Sequence, residues 1–302
     1  MRHRRRKSGF VLLMVLVVLA ISATFLASAA RRSCDLALRA GSSHQQLQVK
    51  WGTLSCQAAC LPAAERFLER ANQPGQDPVR EVRRSVALGG VKFHLILSDE
   101  QAKANVNRLV RHRGDTTLPS ILRKLQIDRR RPLPVRLRPG QASPAAPERG
   151  PAPQGPAGPE PAPYASFEQL FAFTHPSELA GPTQAEESVV SRVTCWGSGR
   201  LNFRRAETAV LREALAGILT ETEIAKLGAF RRGEPECTLA KAVEHLALSK
   251  DKAKALDQAA TEASQCHGLW VIAQGPTRSW YSFHIVATRG GGADAGGWTL
   301  TW

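Results

Sequence analysis

Lys7-Ser8-Gly9-Phe10-Val11-Leu12-Leu13-Met14, continuing as VLVVLAISATFLASAA to Ala30 and closed by Arg31-Arg32, decides the architecture of this 302-residue chain. No charged side chain occurs at residues 10–30. A helix rises about 1.5 Å per residue, so the run spans roughly 30 Å, the thickness of a bilayer's hydrocarbon core. It exceeds the apolar stretch of about 7–15 residues found in secretory signal peptides, although Ala27-Ser28-Ala29 has the small side chains of a cleavage site. Arg2, Arg4, Arg5, Arg6 and Lys7 precede it, and such a cluster stays on the cytoplasmic side. The expectation is a single-pass anchor with the body of the protein outside the cytoplasm.

Composition bounds the rest. Lysine plus arginine number 41 against 26 acidic residues, a formal charge of +15, with 43% hydrophobic and 6% aromatic residues. Near-normal apolar content gathered into one long run excludes a disulfide miniprotein, a polytopic membrane protein and a wholly disordered chain. Charge alone points to nucleic acid or an anionic surface, but five of the cations already serve as the orientation signal.

The Lys7-Ser8-Gly9-Phe10 start resembles the leader of type IV prepilins. That resemblance implies cleavage after Gly9 by a membrane prepilin peptidase, methylation of the new Phe10 amine and retention of the apolar helix. Most pilin-like subunits carry glutamate as the fifth mature residue, where it pairs with a neighbour's terminal amine; this chain has Met14 there. An unpaired carboxylate in lipid is costly, so its absence fits a subunit with no neighbour above it, which the resemblance makes the trait of a tip subunit.

After Arg32 the helical pattern continues through Leu36, Leu47, Trp51 and Leu54 towards Phe67, weakened by Gly41 and Gly52 and interrupted at Pro62. Residues 82–98 read as a hairpin turning at Gly89-Gly90, with Val91, Phe93, Leu95 and Leu97 on one face. Residues 108–127 are short, basic and helical. Residues 139–163 hold nine of the 19 prolines without apolar periodicity, a composition that cannot offset its ordering entropy. Just before them, residues 123–138 are basic enough to meet an acidic polysaccharide, lipid headgroups or a partner. Capping boxes are expected at Ser166 with Gln169, Thr183 with Glu186 and Thr220 with Glu223. Residues 193–203 read as strand, turn and strand, residues 205–215 and 251–264 as helices, and 269–273, 280–288 and 298–302 as strands of a small antiparallel sheet.

In this order the pieces resemble general secretion pathway protein K, the family of large minor pseudopilins of type II secretion. The resemblance rests on the start without glutamate, on DEQAKANVN (99–107), on FEQLFAFTHPSEL (167–179) and on VTCWGSGRLNFRRAETAVLREAL (193–215) followed by ILTETEIAKLGAFRR. It implies an α+β fold in which a long N-terminal helix packs on a small antiparallel sheet and a helical module is inserted in the head. The corresponding divisions are a cleaved leader (1–9), a transmembrane helix (10–31), a first pilin-like α/β part (32–107), a basic, partly helical segment (108–138), a proline-rich insertion (139–163), a helical module with short strands (164–232) and a second α/β part (233–302). Asp99, Glu100, Lys103, Asn105 and Asn107 form the structural motif, with Asn202 in the equivalent place of a second copy. Phe203-Arg204-Arg205 departs from the family's continuation there. The implied role is at the tip of a periplasmic pseudopilus, with Gly9 and Phe10 serving processing and Phe10 and Met14 serving assembly. The implied partners are the I-type and J-type minor pseudopilins, the prepilin peptidase and the inner-membrane secretion platform. Calcium held by acidic clusters in the family's module is not carried over, because this insertion is short and basic.

No metalloprotease helix, phosphate loop, nucleophile elbow or dinucleotide fingerprint occurs, so no enzyme, metal or other cofactor is expected. Ser198, between two glycines, reads as a turn, and His112, His175, His245 and His267 have no ligand spacing. Cys56 and Cys60 are four apart on a helix, a spacing that a relaxed helix rarely closes as a disulfide. In an oxidising compartment Cys237 with Cys266, or Cys195 with either, could bridge, or all could remain buried thiols. Two other readings stand beside the pseudopilin. One is a type IV pilus or competence minor pilin whose residues 166–215 form a DNA-binding helix-hairpin-helix, although nucleic acid is not the expected partner. The other is a plain signal-anchored envelope protein.

Overall fold

The structure, a computed structural model, describes residues 6–73, 76–126, 132–136, 162–180, 188–234, 236–276, 278–288 and 295–301. The chain divides into two compact units, Met1–Trp51 and Gly52–Trp302. The first is helical from residue 6 onward and belongs to α1 (Arg6–Cys60). Its apolar residues, from Phe10 and Val11 to Phe25 and Leu26, are exposed. Among the described residues this is the one helix long and apolar enough to cross a membrane.

Helix α1 runs through both Gly41 and Gly52 and ends just before Pro62, which disfavours helical geometry at the residue preceding it. Gly52, the first residue of the second unit, has a steric role. A Cβ there would lie 2.2 Å from Cζ of Phe93, so its missing side chain is what lets the ring approach the helix. A short amphipathic helix, α2 (Ala64–Ala71), follows and buries Ala64 and Leu68.

The expected hairpin is present as β1 (Glu81–Leu88) and β2 (Val91–Asp99), paired antiparallel from Glu81 with Ser98 to Leu88 with Val91. Gly89 and Gly90 take φ of 57° and 83°, the left-handed geometry of a tight two-residue turn. After a 3₁₀ turn over Glu100–Ala102 come β3 (Ala104–Asn105), α3 (Val106–Arg113) and α4 (Leu118–Leu125). The next described elements are α5 (Ser177–Ala180), β4 (Val193–Thr194), β5 (Leu201–Asn202), α6 (Thr208–Ala214), α7 (Glu221–Gly233), α8 (Leu239–His245) and α9 (Lys250–Ala259). The chain closes with β6 (Ala260–Thr261), β7 (Cys266–Gln274), β8 (Ser279–Thr288) and β9 (Ala295–Thr301).

The fold is α+β. One five-stranded antiparallel sheet, ordered β1-β2-β7-β8-β9, joins the hairpin to the three C-terminal strands. Strand β2 is buried on both faces, which explains its nearly continuous apolar run. Phe93, Leu95 and Leu97 share a face with Ala273, Val271 and Leu269 of β7. On the opposite face Ile96, Trp270 and Phe283 are in register, and the Trp270 and Phe283 rings stack with centroids 4.8 Å apart. That second face belongs to a core shared with the helical elements, including Leu122, Phe167, Phe171, Leu179, Phe203 and Leu211.

Several local expectations give way to tertiary structure. The strands at 193–203 do not pair with each other: β4 pairs parallel with β3, and β5 pairs parallel with β6. The helix expected over 251–264 ends at Ala259, because Ala260 and Thr261 are drawn into that pairing with β5. The helix expected over 205–215 begins only at Thr208, since Asn202 and the turn after it accept the backbone bonds of residues 204–206. Thr220 and Glu223 form the reciprocal capping box that opens α7. Ser166 makes no side-chain cap; Gln169 instead accepts a bond from the amide of Ala165, and only a 3₁₀ turn follows. The box at Thr183 lies outside the described residues.

Candidate functional site

Two groups of residues were marked by the sequence, one on the N-terminal apolar helix and one at the end of β2. Gly9 lies within α1, and Phe10 and Met14 are 65% and 52% exposed. From Phe10 to Ala30 the helix presents apolar side chains outward without a carboxylate, the surface that a hydrocarbon solvent or the apolar helix of another subunit would cover.

The second group is a buried polar knot. Strand β2 ends at Asp99, whose Oδ1 accepts the amides of Gln101 and Ala102 at 2.9 and 3.1 Å and so caps the 3₁₀ turn. Its Oδ2 accepts from Asn202 Nδ2 at 2.8 Å, across a sequence separation of 103 residues. Asn202 Oδ1 in turn accepts the amide of Arg204, making the local turn that delays α6. The end of β2 and the turn after β5 thus meet through Asp99 and Asn202.

Glu100 and Lys103 form an ion pair of 2.5 Å with both side chains essentially out of solvent. Ser98 donates to Glu100 Oε1 and accepts from Lys103, while Thr194 of β4 donates to Glu100 Oε2 at 2.7 Å. A buried pair of this kind is tolerable only when its remaining lone pairs are occupied in this way. Gly268 of β7 makes the room: a Cβ there would lie 2.5 Å from Glu100 Oε1.

Asn105 caps α3 by accepting from the Arg108 amide at 3.0 Å and donates to the carbonyl of Trp196. Asn107 donates to the carbonyls of Tyr164 and Cys195, both at 2.9 Å, and accepts the Tyr164 amide at 2.6 Å. One amide side chain therefore ties α3 to two distant segments. Every member of the motif satisfies backbone or side-chain partners within the head, so its chemistry is that of a structural joint.

Sequence reasoning passed over four participants. Gln101 donates to Ser198 Oγ at 2.7 Å and accepts the Gln265 amide, which seats the 197–200 turn against the start of β7. Glu65 of α2 binds Arg205 at 2.8 Å and His267 at 3.1 Å, and Arg205 also lies 3.7 Å from Asp99. Burial alone would raise the Glu65 carboxyl, but the bonds and charges of His267 and Arg205 hold it down at about 2. Gln101 could have been found as part of a polar run directly after an apolar strand, which has to find partners if buried. Nothing local marks Glu65, Arg205 or His267 as neighbours.

The cysteines are free thiols. Cys195, Cys237 and Cys266 are buried, and desolvation pushes all three thiols up, with the Glu100 carboxylate adding to the effect at Cys195 and Cys266. Cys56 is likewise pushed up to about 11 by burial and by Cys60. Among the described residues no three histidine, cysteine or acidic side chains gather as a metal site. For the DNA-binding alternative, the described α-helices within 166–215 are α5, of 4 residues, and α6, of 7 residues, and Leu179 and Ala180 are buried, while Gly181 lies outside the described residues.

No protein-family model matches the chain, and no curated protein matches it. Among solved structures it is similar to a chain of the GspK-GspI-GspJ complex from the type 2 secretion system of enterotoxigenic Escherichia coli. The similarity covers 87% of this chain and 99% of that one, at 13% identity and a TM-score of 0.49.

Proposed function

We propose that the chain is a minor pseudopilin at the tip of a type II secretion pseudopilus, where it initiates and caps the assembly of a short periplasmic fibre. Three features support this reading: the Gly9-Phe10 junction, the uncharged helix that continues from it, and the motif joining the two parts of the head. The observation that carries it is Met14. With no carboxylate at that place, the apolar helix can lie among other subunits' helices but has no acid to pair with the amine of a subunit above. Growth of the fibre beneath such a cap would push folded substrates through an outer-membrane channel. The partners in this reading are I-type and J-type minor pseudopilins and the inner-membrane platform, with prepilin peptidase acting first; the role is mechanical, without catalysis.

Mass spectrometry of the N-terminal peptide, from protein made beside its native peptidase, tests the reading. The expected peptide begins at N-methylated Phe10. An intact Met1 would make the chain an ordinary signal-anchored protein, and a start near Ala30 would make it a secreted one; either result removes the fibre mechanism. The competence alternative predicts a salt-dependent DNA shift.

A further inference from the structure

Helix α3 carries Arg108, Arg111 and His112, spaced so that residues three and four apart share a face, and Arg111 and His112 are exposed. The 197–200 turn lies against this face. Gly199 has φ of 79°, and a Cβ built on it would lie 3.5 Å from Cβ of Arg108. Arg200 follows at once. Both arginines reach the C-terminal end of α9: Arg108 Nη1 donates to the Gln258 carbonyl at 3.1 Å, and Arg200 donates through Nε to Ala260 and through Nη2 to Asp257, at 3.0 and 2.9 Å.

Those bonds cap a helix end, which is the ordinary use of arginine there. They also leave charge and donors over. The acceptors are carbonyls at a helix end, whose partial charge of about −0.5 offsets only part of the charge of the two guanidiniums. Among the described residues the one carboxylate within 4.0 Å of Arg200 is that of Asp257, at 3.9 Å and 76% exposed, and Arg108 has none. Nε and Nη2 of Arg108 and Nη1 of Arg200 have no protein partner among the described residues. Burial, followed by the charges of Arg200 and Arg111, lowers the Arg108 guanidinium from its ordinary value, and burial, followed by the charges of Arg108 and Arg111, lowers the His112 imidazole. The guanidiniums of Arg108 and Arg200, each fixed on the end of α9 with donors still open, match the oxygens of a tetrahedral anion.

We infer that Arg108 and Arg200, anchored on the carbonyls at the end of α9 and flanked by Arg111 and His112, form a binding site for a phosphate-class oxyanion, either free or as a lipid headgroup. The inference does not depend on the pseudopilin reading, since it uses only the geometry of the head.

The test is calorimetric titration of the full chain, held in an uncharged detergent at low salt, with inorganic phosphate, with pyrophosphate and with micelles containing phosphatidylglycerol. Saturable binding of both soluble anions and micelles is the expected result, weakened about tenfold by Arg108→Gln or by Arg200→Gln, each of which removes charge-assisted bonds. Because these variants also uncap α9, His112→Glu is the second variant: it touches none of the carbonyls and should weaken binding several-fold with only a small drop in thermal midpoint, since it places an acid in the last turn of α3. Lys241→Gln on α8 should bind like the unaltered chain. Binding of soluble anions alone would make free phosphate the ligand, and binding of micelles alone would make it a headgroup. Absence of saturation with all three probes would overturn the inference, as would equal binding by folded Arg108→Gln and Arg200→Gln proteins.

Discussion

Lys103 Nζ lies 2.5 Å from Glu100 Oε1, and neither side chain reaches solvent. The two residues are three apart, but what encloses them comes from far along the chain: Thr194 from β4 and the bare backbone of Gly268 from β7. Removing one partner leaves the other as an unpaired buried charge. Lys103→Met should therefore cost about 3–5 kcal/mol in chemical denaturation. Adding Glu100→Gln should recover a good part of that loss; if the double variant is as unstable as the single, the pair is not the source of the effect.

Asn107 makes three bonds to segments 57 and 88 residues away. Asn107→Ala strands two carbonyls and an amide in a part-buried site and should cost roughly 2–3 kcal/mol. Hydrogen exchange is the sharper readout. The Tyr164 amide should lose its protection while amides in the middle of β2 keep theirs.

Gly268→Ala places a methyl 2.5 Å from Glu100 Oε1 and 2.9 Å from the Phe283 ring. Neither neighbour can yield, since one is ion-paired and the other is packed in the core. The thermal midpoint should fall by several degrees, whereas Gly41→Ala, with nothing within 4 Å, should leave it unchanged or raise it slightly.

The Glu65 carboxyl is held at about 2 in the folded head, below its ordinary value of 4.5. A depressed acid contributes stability that is present above its unfolded value and is lost as pH falls through the folded one. The head should therefore lose stability between about pH 4.5 and pH 2 through this group, and Glu65→Gln should flatten that part of the pH–stability curve. An identical slope in the variant would exclude Glu65 as a contributor.

Cys34 is exposed on α1 just beyond the apolar run, whereas Cys195, Cys237 and Cys266 are buried with raised thiols. A membrane-impermeant maleimide added to intact spheroplasts should label Cys34 and spare the three buried thiols until the head is unfolded. Protection of Cys34 in spheroplasts, with labelling after lysis, would reverse the proposed orientation.

Much of the architecture was legible along the chain. The long N-terminal helix follows from a charge-free apolar run, the hairpin from alternating residues about Gly89-Gly90, and the start of α7 from Thr220 and Glu223, because each signal lies within a few residues of what it specifies. The motif at 99–107 was visible as polar residues closing an apolar strand, but the partners of Asp99, Glu100 and Asn107 were not.

What the sequence determined by itself is therefore the set of local elements, including an N-terminal helix long and apolar enough to cross a membrane. Tertiary structure alone decided that β2 and β7 lie side by side although some 170 residues separate Ser98 from Gly268, that β3 and β5 take parallel partners, and that residues 260 and 261 leave a helix for a strand. Strand pairing is settled by burial and hydrogen bonding between segments distant in sequence, and neither segment alone records its partner.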